Sequence, residues 1–179
     1  MTSDPERRAD ATRRLIRVWL WIFVVCLVLS GLTAFPLQTE SRWLADAVHG
    51  SPLGDHLPAL AAWTARVRDG LAETDARYPF LAYGTDWLAF AHLVIAVAFW
   101  GPLRDPVRNV WVIQWALIAC AGIVPLALIC GPLRGIPVYW RFVDMSFGVV
   151  GAVPLLIVLR AIRRLERATE AGVPAGPAR

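Results

Sequence analysis

Apolar residues run almost unbroken through four stretches, Leu15–Phe35, Phe80–Trp100, Val107–Cys130 and Val138–Arg160, and polar residues gather between them. Each stretch has the roughly 20 residues that a helix rising 1.5 Å per residue needs to cross a bilayer. The pattern predicts an all-α fold, an integral membrane four-helix transmembrane bundle spanning residues 15–165. Residues 1–14 and 166–179 are read as tails, and 36–79 as a partly helical external loop too short for a robust core of its own. Within that loop Leu57, Leu60, Ala61, Thr64, Val67 and Leu71 recur at helical spacing, with Arg66, Arg68, Asp69 and Glu73 off the stripe. This is the signature of an amphipathic helix, from Pro58 to Thr74, lying along the outer interface. A shorter helix is expected over Ser41–Val48, ended by Gly50. Thr85 with Asp86 reads as the N-cap and first-turn acid of the second span, and Gly101-Pro102 and Gly131-Pro132 as stops for the second and third. Pro125 and Pro154 fall inside spans, where neighbouring helices can satisfy the carbonyls that a proline frees.

Composition agrees with the pattern: 57% of the 179 residues are hydrophobic, nine are tryptophan and the mean hydropathy is +0.52, beyond an ordinary soluble domain. The first apolar run is longer than a signal core, and no small-x-small cleavage pattern follows Gly31–Pro36, so it is read as a retained span. Charge sets the expected orientation. Arg7, Arg8, Arg13, Arg14 and Arg17, then Arg104 and Arg108, then Arg160, Arg163, Arg164 and Arg167 all fall on one side of a four-span topology. The positive-inside rule makes that side cytoplasmic, with both termini inside. The net charge of +4 reflects this anchoring, and no basic-aromatic motif supports binding to nucleic acid. Tyr78, Phe80 and Tyr83 bring aromatic rings to the level where the second span begins, as an interfacial belt does.

Candidate chemistry begins with His92 and Asp144, ionisable residues inside apolar spans. Such groups are costly in hydrocarbon and normally face a bundle interior or a wet cavity. Counted from Asp86 and Val138, each lies about 9 Å inside the outer boundary, so a shared outer-leaflet polar pocket is expected. Arg141 is three residues before Asp144 on the same face, Ser30 sits at a similar level, and Tyr83, Tyr139 and Trp140 stand at the mouth with Glu40 and Arg134 nearby. Two readings stay open: a structural clamp built on an Arg141–Asp144 ion pair, or a pocket for a small ligand or a proton. Gly148-x-x-Gly151 permits close helix approach, either within the bundle or to a membrane partner or second copy, and Gln114 reads as interhelical glue. Cys26, Cys120 and Cys130 form no C-x-x-C pair and read as small packing residues. Asp46, His49, Asp55 and His56 crowd the outer loop as a weak metal candidate, without zinc-like spacing. Only His92 lies in a span, so bis-histidine haem is not expected, nor any other cofactor.

The segments Tyr83–His92, Gly101–Trp111 and Cys130–Arg141 resemble a family of small, uncharacterised bacterial four-span integral membrane proteins, the similarity covering most of Leu15–Leu165. The resemblance implies a bacterial inner-membrane location and carries no activity. The sequence therefore points to a non-enzymatic accessory or interaction component in a lipid bilayer. The alternative is a small transporter or proton-linked carrier using His92 and Asp144, while an acid-base enzyme lacks a nucleophile or metal motif to complete the set.

Overall fold

The computed structural model describes residues 4–172, with side chains from Arg7 to Arg167. The chain order is α1 (Asp4–Ala34), α2 (Leu37–His49), α3 (Pro52–His56), α4 (Pro58–Arg77), a 3-10 turn (Pro79–Ala82), α5 (Tyr83–Ala98), α6 (Trp100–Arg104), α7 (Val110–Leu133) and α8 (Val138–Gly172), with no strand among the described residues. Four segments are long and apolar enough to cross a membrane: Arg7–Ala34, Pro79–Arg104, Val110–Leu133 and Val138–Arg167. The protein is an all-α, multi-pass membrane protein. Helix continues into both sequence-predicted tails, from Asp4 at one end and as far as Gly172 at the other, and residues 173–179 lie outside the described residues. Large apolar side chains point outward along the spans, among them Trp87, Val97, Ile118 and Val150, as lipid-facing positions must.

The chain divides into two compact units, one from residues up to 25 together with 97 onward, the other from 26–96. In the first, Ile16, Leu20 and Val24 of α1 and Leu155, Val158, Leu159, Ile162 and Leu165 of α8 form buried stripes at helical spacing, and Phe23 meets Phe99 at 4.9 Å between ring centroids. Helices α7 and α8 pack closely because Gly148 lets backbone meet backbone: a Cβ there would sit 2.5 Å from the Cys120 carbonyl oxygen, and one at Gly151 would sit 3.3 Å from Cys120 Sγ. Gly148 and Gly151 thus serve packing within this unit. Cys120 packs, as the sequence suggested, whereas Cys26 and Cys130 are exposed, and all three thiols are free. Gln114 is exposed on α7 and, among the described residues, its side chain makes no hydrogen bond to another helix.

Both predicted Gly-Pro stops are displaced. Gly101 and Pro102 lie inside α6, where the Asn109 amide closes the connection by donating to the Gly101 and Asp105 carbonyls at 3.2 and 2.9 Å. Gly131 and Pro132 belong to the last turn of α7, and the residue that ends it is Gly135, at φ +68°. Gly135 N–H donates to Pro132 O at 3.1 Å and Ile136 N–H to Gly131 O at 2.9 Å, the two bonds of a Schellman turn. A left-handed residue is needed there, and glycine adopts that conformation without a Cβ clash.

In the second unit α2 lies on α4 through small residues: Ser41, Ala45 and Val48 are buried on one, Ala61 and Thr64 on the other. The predicted amphipathic helix is present and three residues longer, to Arg77, and Ala61 and Thr64 of its stripe are buried as it packs on α2. The α2 helix runs Leu37–His49, with Gly50 at its C-cap as expected. On the exposed side of α4, Arg68 Nε donates to Asp69 Oδ1 at 2.8 Å. That bond and its charge hold the Asp69 carboxyl below, and the Arg68 guanidinium above, their ordinary ranges.

Candidate functional site

Two prolines shape a cavity in the second unit. Proline has no N–H to continue a helix and disfavours helical geometry in the residue before it. Pro36 accordingly follows the end of α1 and precedes α2. Pro79 leaves Tyr78 out of helical geometry, at φ −140° and ψ 60°, so α4 stops and a 3-10 turn redirects the chain into α5. At this double corner, within the second unit, lies a cavity of about 480 Å³. Phe35, Pro36, Leu37, Gln38 and Thr39 line it from the α1–α2 corner; Leu71, Thr74, Asp75 and Tyr78 from the end of α4; and Leu81, Ala82 and Thr85 from the start of the second span. The volume falls in the usual range for small-ligand sites, roughly 300–1,000 Å³. Its polar groups are one amide, three threonine hydroxyls, one phenol and one carboxylate, set among aliphatic and aromatic walls.

Thr85 is not the N-cap that its sequence context suggests. Helix α5 already begins at Tyr83, and the Thr85 hydroxyl donates back to the Ala82 carbonyl at 2.7 Å; Asp86 does stand in the first turn. Below it Tyr83, Trp87 and Phe90 form an aromatic ladder on α5, with edge-to-face ring pairs at 6.0 and 5.9 Å. With Phe35 and Asp86 they line a second cleft of about 360 Å³. Phe35 belongs to both spaces, so an aromatic surface leads from the polar cavity toward the lipid-facing span. Such an arrangement can hold a molecule with a hydrogen-bonding head and an apolar body.

Of the residues singled out in the sequence, Tyr83 lines this cleft and Ser30 lies exposed nearby in the chain, its carbonyl accepting the Thr33 hydroxyl at 3.0 Å. His92 is half-buried in the same unit, packed so closely on α1 that a Cβ on Gly31 would lie 2.7 Å from His92 Cβ. Its Nδ1 is 2.8 Å from the Leu88 carbonyl oxygen, which can only accept, so the ring donates its Nδ1–H there.

Arg141, Asp144 and Tyr139 belong to the other unit. The expected Arg141–Asp144 ion pair does not form among the described residues. Arg141 Nε instead donates to the Ile136 carbonyl at 2.8 Å, and its side-chain methylenes lie over Gly131, where a Cβ would meet Arg141 Cδ at 2.8 Å. The arginine therefore ties the first turn of α8 to the Schellman turn that ends α7, and Gly131 is its seat. Asp144 is half-buried and, among the described residues, makes neither a hydrogen bond nor an ion pair. Tyr139 stands in the first turn of α8 and is partly exposed.

Asp46, His49, Asp55 and His56 are all exposed, and among the described residues no three His, Cys, Asp or Glu side chains converge as a metal-binding group. The cavity residues Gln38, Thr74 and Asp75 were missed in the sequence because they fall off the apolar stripe and read as solvated. The signal that finds them is Pro36 and Pro79, which mark where the chain turns on itself. The chain matches no protein-family model, no curated protein and no solved structure.

Proposed function

We propose that this chain is a non-enzymatic accessory component of a bacterial inner membrane that holds a small amphiphilic molecule at the outer interface. The cavity of about 480 Å³ at the Pro36 and Pro79 corner, with its aromatic extension beside α5, carries this reading. Its lining favours holding over conversion: hydroxyls, an amide and a phenol surround the single carboxylate of Asp75, with no base or thiol beside it to complete an acid-base or nucleophilic set. The arginine-rich flanks support cytoplasmic termini and an external loop 36–79, and the family resemblance supports the bacterial location.

The test is identification of small molecules that copurify with the full chain in mild detergent, by native mass spectrometry and solvent extraction. An adduct of amphiphile mass is expected on the unaltered protein. Ala82→Trp, which places an indole at the cavity wall, should lower its occupancy at least about tenfold, the effect of losing about 1.4 kcal/mol of binding. A protein that carries no amphiphile, or whose adduct survives Ala82→Trp unchanged, would discard the reading.

One observation favours a second reading, a proton-linked carrier: Asp144 stands about 9 Å along α8 from its start, half-buried and without a partner among the described residues. Proton flux into proteoliposomes that disappears with Asp144→Asn would support it, and flux indifferent to that change would remove it.

A further inference from the structure

A different cavity, of about 360 Å³, lies in the first unit between the beginning of α1 and the part of α8 that leaves its apolar stretch. Ala11, Leu15, Ile157 and Ala161 supply its apolar lining, and Thr12, Arg160 and Arg164 complete it. Arg160 and Arg164 are one helical turn apart, so both stems rise from one face of α8. Both are exposed, and among the described residues neither side chain makes a hydrogen bond or an ion pair. Neither Asp10 nor Glu166, the acidic side chains nearest in the chain, lines the space. Leu15 opens the apolar run of α1, and Arg160 closes that of α8, so the cavity straddles the boundary between hydrocarbon and water.

We infer that this cleft is a specific seat for the headgroup of an anionic phospholipid in the leaflet at the arginine-rich ends of α1 and α8. Two guanidinium forks without protein partners match the geometry of phosphate oxygens, which arginine binds in pairs. An apolar floor at the same level accepts the first methylenes of the acyl chains. Basic pockets between membrane helices recognise anionic headgroups by this combination. The remaining arginines of these ends, such as Arg163 and Arg167, strengthen the local positive potential but do not line the cleft.

The experiment uses the full chain, delipidated in mild detergent and titrated with phosphatidylglycerol or phosphatidylethanolamine, with occupancy read by native mass spectrometry. At about fivefold per arginine, the unaltered protein should prefer phosphatidylglycerol by roughly 25-fold, and Arg160→Gln with Arg164→Gln should abolish that preference. Arg163→Gln with Arg167→Gln removes the same charge outside the cleft and should retain most of it. Ala82→Trp, at the other cavity, should leave it unchanged. Equal losses in the two double variants would show diffuse attraction and overturn the proposal. Equal binding of the two lipids by the unaltered protein, a comparison that needs no folded variant, would overturn it as well. Displacement of phosphatidylglycerol by millimolar inorganic phosphate would identify a free-anion site and reject the lipid assignment.

Discussion

Close approach of α7 and α8 depends on the missing side chain of Gly148, whose place is taken by the Cys120 carbonyl oxygen 2.5 Å from where a Cβ would stand. A backbone oxygen cannot swing aside as a flexible side chain can. Gly148→Ala is therefore expected to lower stability by about 1–3 kcal/mol, the usual cost of overpacking a close contact. Gly122, on α7, has open space around it. There the same substitution should be neutral or raise stability by up to ~1 kcal/mol, because alanine loses less backbone freedom in a helix. Unfolding in detergent, followed by circular dichroism, checks the contrast; equal effects at the two positions would mean that the close approach is not what Gly148 provides. The Gly148-x-x-Gly151 spacing was legible as a packing signal, but its partner was not. Spacing along one helix says which residues share a face and nothing about what the face meets. Arg141 teaches the same point: its position three residues before Asp144 suggested a pair, yet its Nε is bonded to Ile136 O, a backbone group with no signature in the sequence.

At the scale of elements, helices α2 and α4 of the second unit meet through Ser41, Ala45, Val48, Ala61 and Thr64. Even a fully buried valine contributes only about 1.5–3 kcal/mol. Ordering each backbone residue costs roughly 1–2 kcal/mol, so so small an interface cannot hold some forty residues in place. A peptide of residues 38–79 is expected to be largely disordered in buffer and to gain helix on adding lipid vesicles, by circular dichroism. Cooperative thermal unfolding of that peptide in buffer alone would contradict this. Helix positions were legible because the apolar period alone reports them; helix ends were less so. Gly131-Pro132 looked like a stop, but α7 runs on to Leu133 because Gly131 is occupied in seating Arg141 and the left-handed Gly135 does the stopping. Which of two nearby glycines ends a helix depends on what packs against each.

For the whole molecule, the prediction concerns sidedness. A phosphatase reporter fused after Arg179 should be inactive and one inserted near Gly70 active, because the arginines flanking the spans cluster at the ends of the chain and at Arg104–Arg108. The reverse pattern would invert the assigned orientation. The number and approximate positions of the apolar spans, the all-α class and the amphipathic helix α4 were determined by the sequence alone. Each is a sum or a period over some twenty neighbouring residues, and a bilayer selects for that local sum. Only the tertiary structure decided that Gln38, Thr74, Asp75 and Thr85, drawn from three separate helices, line one cavity, and that Thr12 lines another with Arg160 and Arg164. Convergence of that kind rests on the angles at which Pro36 and Pro79 turn the chain and on which helix faces lie together, and neither is written in the hydropathy of any single segment.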